Sequence, residues 1–213
     1  MEVKCIIFDC DGVLVDTEKI GNEILLSMAA EHGFEMKIED AYSNFNGRNL
    51  KECFLHVEDS IGKKLPDTFE SEYRERSFEA FKTQVKPMDG VVAFIDKLKI
   101  PYCVASSGPV DKIRLNLEVA GLLEKFEGKI FSSYQIKSWK PEPGIFLHAA
   151  KEMGFDIKDC IVVEDSKAGV MAGISGGFKV YGFANGHNNE ELEKGGAILF
   201  KSYEELSILL QLE

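Results

Sequence analysis

The chain has 213 residues, 25 of them Lys or Arg and 36 Asp or Glu, so its formal net charge is −11 and its pI about 5.0. Apolar residues make up 45% and charged residues 29%, which excludes disorder as the main state, and no run approaches the roughly 18–20 apolar residues of a membrane span. The acidic balance argues against nucleic acid as a partner, and it requires that any anionic ligand be met by local positive charge or a metal ion.

The opening residues lack a basic stretch followed by a long apolar one, so no signal peptide is expected. Residues 3–8 form a short, almost continuous apolar run that ends in Asp9-Cys10-Asp11-Gly12, the chemistry of a turn. A run apolar on both faces suits a central parallel strand. From Thr17 to Lys82 the period changes. Ile20, Ile24, Leu25, Met28 and Ala29 follow helical spacing, and further helices are expected over 38–44, 49–61 and 67–81, with no strand among them. After Lys86-Pro87-Met88-Asp89-Gly90 strands and helices alternate. Strands are expected over 101–105, 129–132, 160–163, 179–183 and 197–200. Helices are expected over 91–98, 111–120, 143–153, 166–174 and 203–210, with Gly121 and Gly154 closing two of them.

This alternation predicts an α/β fold, an open parallel sheet wound on both sides. The helical block enters as an insertion, with turns at 13–16 and 83–88 as its linkers, and two crossings make it a hinged lid. The boundaries are 1–16 and 84–213 for the sheet domain and 17–83 for the helical domain. Cys5, Cys10, Cys53, Cys103 and Cys160 are odd in number and contain no CxxC pair, which points to reduced, buried thiols and a cytoplasmic setting. The four histidines form no zinc pattern. With no long exposed apolar stripe, a monomer is expected.

Three polar sets follow predicted strands: Asp9-Cys10-Asp11, Ser106-Ser107-Gly108 and Glu164-Asp165-Ser166. Each alone has a plain structural explanation. The first pair of aspartates suits a turn, Ser106 or Ser107 a helix cap, and Asp165 or Ser166 another cap. Lys140 suits a solvated loop and Trp139 a packing position. Together they mark the carboxyl edge of a parallel sheet, where ligands bind. Asp9, Glu164 and Asp165 would gather three carboxylates, which is costly unless a cation sits among them. Oxygen ligands without His or Cys favour Mg²⁺. Lys140 and the helix opening at Gly108-Pro109 would add attraction for an anion. The set is suited to phosphate. Asp9 can attack phosphorus, and Asp11 can protonate the leaving alcohol and then take a proton from water.

These segments resemble the four motifs of the haloacid dehalogenase-like superfamily. Phe8-Asp9-Cys10-Asp11-Gly12-Val13-Leu14-Val15-Asp16-Thr17-Glu18 is similar to the first, Val104-Ala105-Ser106-Ser107 to the second, Lys140-Pro141-Glu142-Pro143 to the third, and Val162-Val163-Glu164-Asp165-Ser166 with Ala168-Gly169 to the fourth. The resemblance implies a Rossmann-like parallel-sheet core with an inserted all-helical cap. It implies Asp9 as nucleophile, Asp11 as acid/base, and Mg²⁺ held by Asp9, the backbone carbonyl of Asp11, and Asp165, with Glu164 adjacent. It implies Ser106, the Ser107 N–H and Lys140 on the phosphate. Within the superfamily the chain looks like the group of β-phosphoglucomutases and small sugar-phosphate phosphatases. The mutase pattern has a His three residues after the Glu of the first motif, where this chain has Gly21, which favours hydrolysis. The expected substrate is a small phosphorylated metabolite, a sugar or sugar-acid phosphate. Glu18, Asn22, Asn46, Arg48 and Asn49 are candidates to contact it from the cap, as against solvated helix or loop positions. A hexose-phosphate mutase and a non-catalytic phosphate-binding domain are the alternatives.

Overall fold

The first strand, β1 (Cys5–Phe8), is buried along its whole length, as its unbroken apolar sequence requires. The computed structural model describes residues 3–45, 50–184, 186 and 188–212. After β1 the chain makes a two-residue strand, β2 (Val15–Asp16), and then four helices, α1 (Glu18–Ala30), α2 (Ile38–Phe45), α3 (Leu50–Ile61) and α4 (Phe69–Gln84). It returns through β3 (Lys86–Pro87) to α5 (Val91–Lys97), β4 (Tyr102–Ser106), α6 (Val110–Val119), α7 (Leu123–Phe126) and β5 (Ile130–Ser132). There follow α8 (Ser133–Ile136), α9 (Gly144–Glu152), a 3-10 turn at Ile157–Asp159, β6 (Cys160–Glu164) and α10 (Lys167–Ser175). The chain closes with β7 (Lys179–Phe183), α11 (Asn189–Lys194), β8 (Ile198–Phe200) and α12 (Tyr203–Leu209).

The six long strands form one parallel sheet in the order β5-β4-β1-β6-β7-β8. From β1 the chain builds outward to β4 and β5, then crosses back to β6 and builds the other way. That reversal beside β1 opens a crevice at the carboxyl ends of β1, β4 and β6. Alternate residues of each strand serve opposite faces. Ile6, Phe8, Val104, Ile161 and Val163 pack into one apolar layer, and Cys5, Ile7, Cys103, Ala105, Cys160 and Val162 into the other.

The inserted helices have an apolar cluster of their own, built from Leu25, Met28, Phe34, Phe45, Val57 and Phe69. The block is joined to the sheet by an antiparallel ribbon, Val15 opposite Pro87 and Asp16 opposite Lys86. Sequence places plain turns here. The paired ribbon corrects that, and the Met88 N–H donating to the Leu14 carbonyl extends it. The short helices α7, α8 and α11 also lie where no element is expected. Tyr203, on the terminal helix α12, donates its hydroxyl to the Val13 carbonyl at 2.6 Å and so fixes the loop between β1 and the ribbon.

Candidate active site

Asp9, Ser106 and Glu164 stand at the ends of β1, β4 and β6, and the parallel register brings them to one edge. The carboxylates of Asp9, Glu164 and Asp165 all lie within 4.8 Å of one another and are all buried. Lys140 reaches this cluster from the loop before α9. Its Nζ donates to Asp9 Oδ1 at 2.5 Å and to Glu164 Oε1 at 2.6 Å, and it lies over the Phe146 ring at 4.8 Å. Its side chain is only 5% exposed, so the solvated-loop reading of Lys140 is overturned. Trp139, the residue before it, does the opposite. It is 43% exposed and packs edge-on against the exposed ring of Tyr134, so its packing role is met at the surface.

Glu164 is fully engaged. Its Oε2 accepts from the backbone N–H groups of Asp165 and Ser166 and from Ser166 Oγ at 2.8–2.9 Å. Ser166 also caps α10, accepting from the Gly169 N–H, so its capping role and its site role coexist. The first turn of α10 approaches so closely that a Cβ on Gly169 would overlap the Glu164 carboxylate. Gly12 has φ +74°, and a Cβ there would overlap the Asp165 carboxylate. Both glycines are therefore set by the site rather than by chain flexibility. Asn188 Nδ2 donates to the Asp165 carbonyl at 2.6 Å and to the Phe183 carbonyl at 3.2 Å, tying the loop after β7 to the cluster.

Burial pushes the Asp9 carboxyl above its ordinary value, with Glu164 and Asp11 adding to the rise and Lys140 opposing it. Asp165 is raised in the same way, by burial first and then by Glu18, Glu164 and Asp9. Two carboxyls that resist ionisation beside a third acid are the electrostatic signature of a place for a cation. Oxygen donors alone fit a hard divalent ion such as Mg²⁺.

Asp11 points elsewhere. Its Oδ1 accepts from Thr17 Oγ1 at 2.7 Å and Asn116 Nδ2 at 3.3 Å, and its Oδ2 from Lys112 Nζ at 2.9 Å. Burial pushes this carboxyl up, but the Lys112 charge and hydrogen bond, with Thr17, outweigh it and hold it below the ordinary value. A proton donor wants the opposite shift, so the acid role expected of Asp11 meets a resting arrangement that opposes it. Ser106 is buried, and its Oγ accepts from the Gly108 N–H at 3.1 Å. Ser107 follows at the strand end, and the Ser132 hydroxyl donates to the Gly108 carbonyl at 2.6 Å, fixing this loop. Neither Ser106 nor Ser107 caps α6, whose N-cap is Pro109.

From the cap, Glu18 is brought to the cluster. Burial raises its carboxyl, with Asp16 and Asp11 adding, and its charge acts on Asp165. Asn22, one turn further along α1, is buried. Asn46, Arg48 and Asn49 lie outside the described residues. Thr17, Lys112, Asn116 and Asn188 were not singled out from sequence. The pair Lys112 and Asn116, four apart on one helix just after the second motif, was the available signal.

A family model described as haloacid dehalogenase-like hydrolase matches residues 6–183. The 6-phosphogluconate phosphatase of Escherichia coli K12 is 35% identical over 188 residues, 87% of this chain and 85% of that one. A solved haloacid dehalogenase-like protein from Agrobacterium tumefaciens superposes with a TM-score of 0.92 at 28% identity, covering 98% of each chain. A putative β-phosphoglucomutase from Thermotoga maritima does so with a TM-score of 0.79 at 28% identity, covering 99% of each.

Proposed function

The chain belongs to the haloacid dehalogenase-like hydrolases, and from that membership we propose that it is a Mg²⁺-dependent phosphatase of a small sugar phosphate or sugar-acid phosphate, working through an aspartyl-phosphate on Asp9. The observation that carries the reading is the convergence of Asp9, Glu164 and Asp165 around Lys140 at one sheet edge. The similarity to the 6-phosphogluconate phosphatase supports the substrate class. Residues 1–16 and 84–213 serve as the catalytic domain and 17–83 as its lid. Five free, buried cysteines accord with a cytoplasmic setting.

Asp9, the Asp11 carbonyl and Asp165, with Glu164 adjacent, would hold Mg²⁺, which supplies neutralising charge for the phosphoryl oxygens. Ser106 Oγ, the Ser107 N–H and Lys140 Nζ hold those oxygens. A carboxylate oxygen of Asp9 attacks phosphorus as the bond to the ester oxygen breaks, and Asp11 gives that oxygen its proton. Water then attacks the phosphoryl group on Asp9 while Asp11 takes back a proton, and inorganic phosphate leaves. Lys140 keeps the Asp9 carboxylate aimed, because its other contact, Glu164, is fixed from below. Closure of the lid would exclude bulk water from the phosphoryl group.

Hydrolysis is favoured over mutase chemistry by one position. Gly21 stands where the mutase pattern has a histidine, and a Cβ there would lie 2.9 Å from Tyr73 Oη, so a larger side chain would have to displace that hydroxyl. The test is phosphate release from a panel of sugar phosphates that includes 6-phosphogluconate and β-glucose 1-phosphate, with and without Mg²⁺. Mg²⁺-dependent release that vanishes in Asp9→Asn is expected. Isomerisation of β-glucose 1-phosphate without release would replace this reading with the mutase.

A further inference from the structure

We propose that Lys112 is a positioning residue that orients the Asp11 carboxylate and ties its placement to the cap helix α4. The role rests on the phosphatase reading above, in which Asp11 serves the leaving oxygen.

Asp11 is gripped from one side. Three donors occupy its two oxygens, and two of them, Lys112 and Asn116, come from a single face of α6. Its third donor, Thr17, stands immediately before α1, at the entrance to the cap. The two lysines of the site thus divide the work. Lys140 engages Asp9 and Glu164, and Lys112 engages Asp11. Both side chains of the Lys112–Asp11 pair keep contact with solvent, at 28% and 30% exposure, so the pair adds little to folding stability. Its value lies in direction: an ammonium and an amide fix both carboxylate oxygens, and with them the rotamer.

The same face of α6 meets the cap. On α4, Tyr73, Ser77 and Phe81 are spaced four apart and share a side. Lys112 Nζ lies over the Phe81 ring at 5.4 Å, and Tyr73 feels the Lys112 charge. A lysine that touches both the acid/base and a ring of the cap makes the two move together. Asn116 is fully buried, and its Oδ1 has no hydrogen-bond partner in this arrangement. Its Nδ2 is committed to Asp11, on the same face of α6 as Lys112. Through Lys112, the packing of α4 on α6 holds the Asp11 carboxylate in one rotamer.

The experiment compares a sugar phosphate, whose alkoxide needs a proton to leave, with p-nitrophenyl phosphate, whose phenolate does not. Wild type, Lys112→Met, Lys112→Arg, Asp11→Asn and the double variant Asp11→Asn/Lys112→Met are assayed on both. In Lys112→Met, kcat on the sugar phosphate should fall about tenfold or more while KM stays within about twofold, and kcat on the aryl ester should fall less than about threefold. Lys112→Arg should recover part of the loss. In the Asp11→Asn background the Met change should add less than about twofold. If Lys112→Met does not fold, as judged by thermal unfolding, Lys112→Gln replaces it with the same expectation. Equal losses on both esters, or a full further loss on top of Asp11→Asn, would overturn the role. An active wild type beside an unaffected Lys112→Met overturns only Lys112. A wild type silent on every ester overturns the phosphatase reading, and this role falls with it.

Discussion

Lys140 is the residue on which the charge balance of the site turns. It is the cation within hydrogen-bond distance of both Asp9 and Glu164, and its side chain is 5% exposed. Burial opposes its charge, yet Asp9 and Glu164 outweigh that and hold it protonated. Removing such a partner leaves two buried carboxylates without their counter-ion, which costs about 3–5 kcal/mol. Lys140→Met should therefore lower folding stability by about that amount in metal-free buffer, read from urea denaturation. A divalent ion replaces part of the missing charge, so Mg²⁺ should restore more stability to Lys140→Met than it adds to the wild type. Activity should stay lost in both conditions, because Mg²⁺ does not aim Asp9. A variant as stable as wild type without metal would show that these carboxylates protonate rather than pair.

Helices and strands set which chemistry the site can host, and α4 lying across α1 is the clearest case. The Tyr73 hydroxyl lies over Gly21, so Gly21→His must displace it; the variant should lose stability and gain no isomerisation of β-glucose 1-phosphate, measured by coupled assay with the bisphosphate activator. Recovery of isomerase activity by Gly21→His with Tyr73 intact would show that α4 yields more readily than its contact with α1 indicates. The elements that carry the site were legible in the sequence because β1, β4 and β6 are buried on both faces. Each reads as an apolar run that stops at Asp9, Ser106 or Glu164. The ribbon of β2 and β3 was not, since two residues such as Lys86-Pro87 contain no alternation to detect. The same holds for α7, α8 and α11, which span too few residues to display a helical period. Lys112 and Asn116 escaped for another reason. Polar residues on a helix read as its solvent face, and only the placement of α4, far along the chain, covers them. Trp139 reads as a packing residue, and it packs at the surface against Tyr134 while the neighbouring Lys140 turns inward.

At the scale of the whole molecule, an acidic protein of net charge −11 has to admit a phosphate dianion. Two fields act on that substrate. The long-range field of the surface carboxylates repels it during approach, and mobile ions weaken that field over a Debye length of about 10 Å at 0.1 M salt. The short-range field of Lys140, and of Mg²⁺ where it is bound, attracts the substrate inside a buried site, where salt screens it far less. Raising ionic strength should then remove more repulsion than attraction. With Mg²⁺ saturating, kcat/KM for a sugar phosphate should rise by a factor of about 2–5 between about 30 and 200 mM of a non-coordinating monovalent salt, while kcat stays flat. The split between the two constants separates encounter from chemistry: screening of the surface acts on approach, whereas a salt effect within the cluster of Asp9, Lys140 and Glu164 would appear in kcat. A fall in kcat/KM would place a positive entrance, rather than the overall charge, in control of substrate capture.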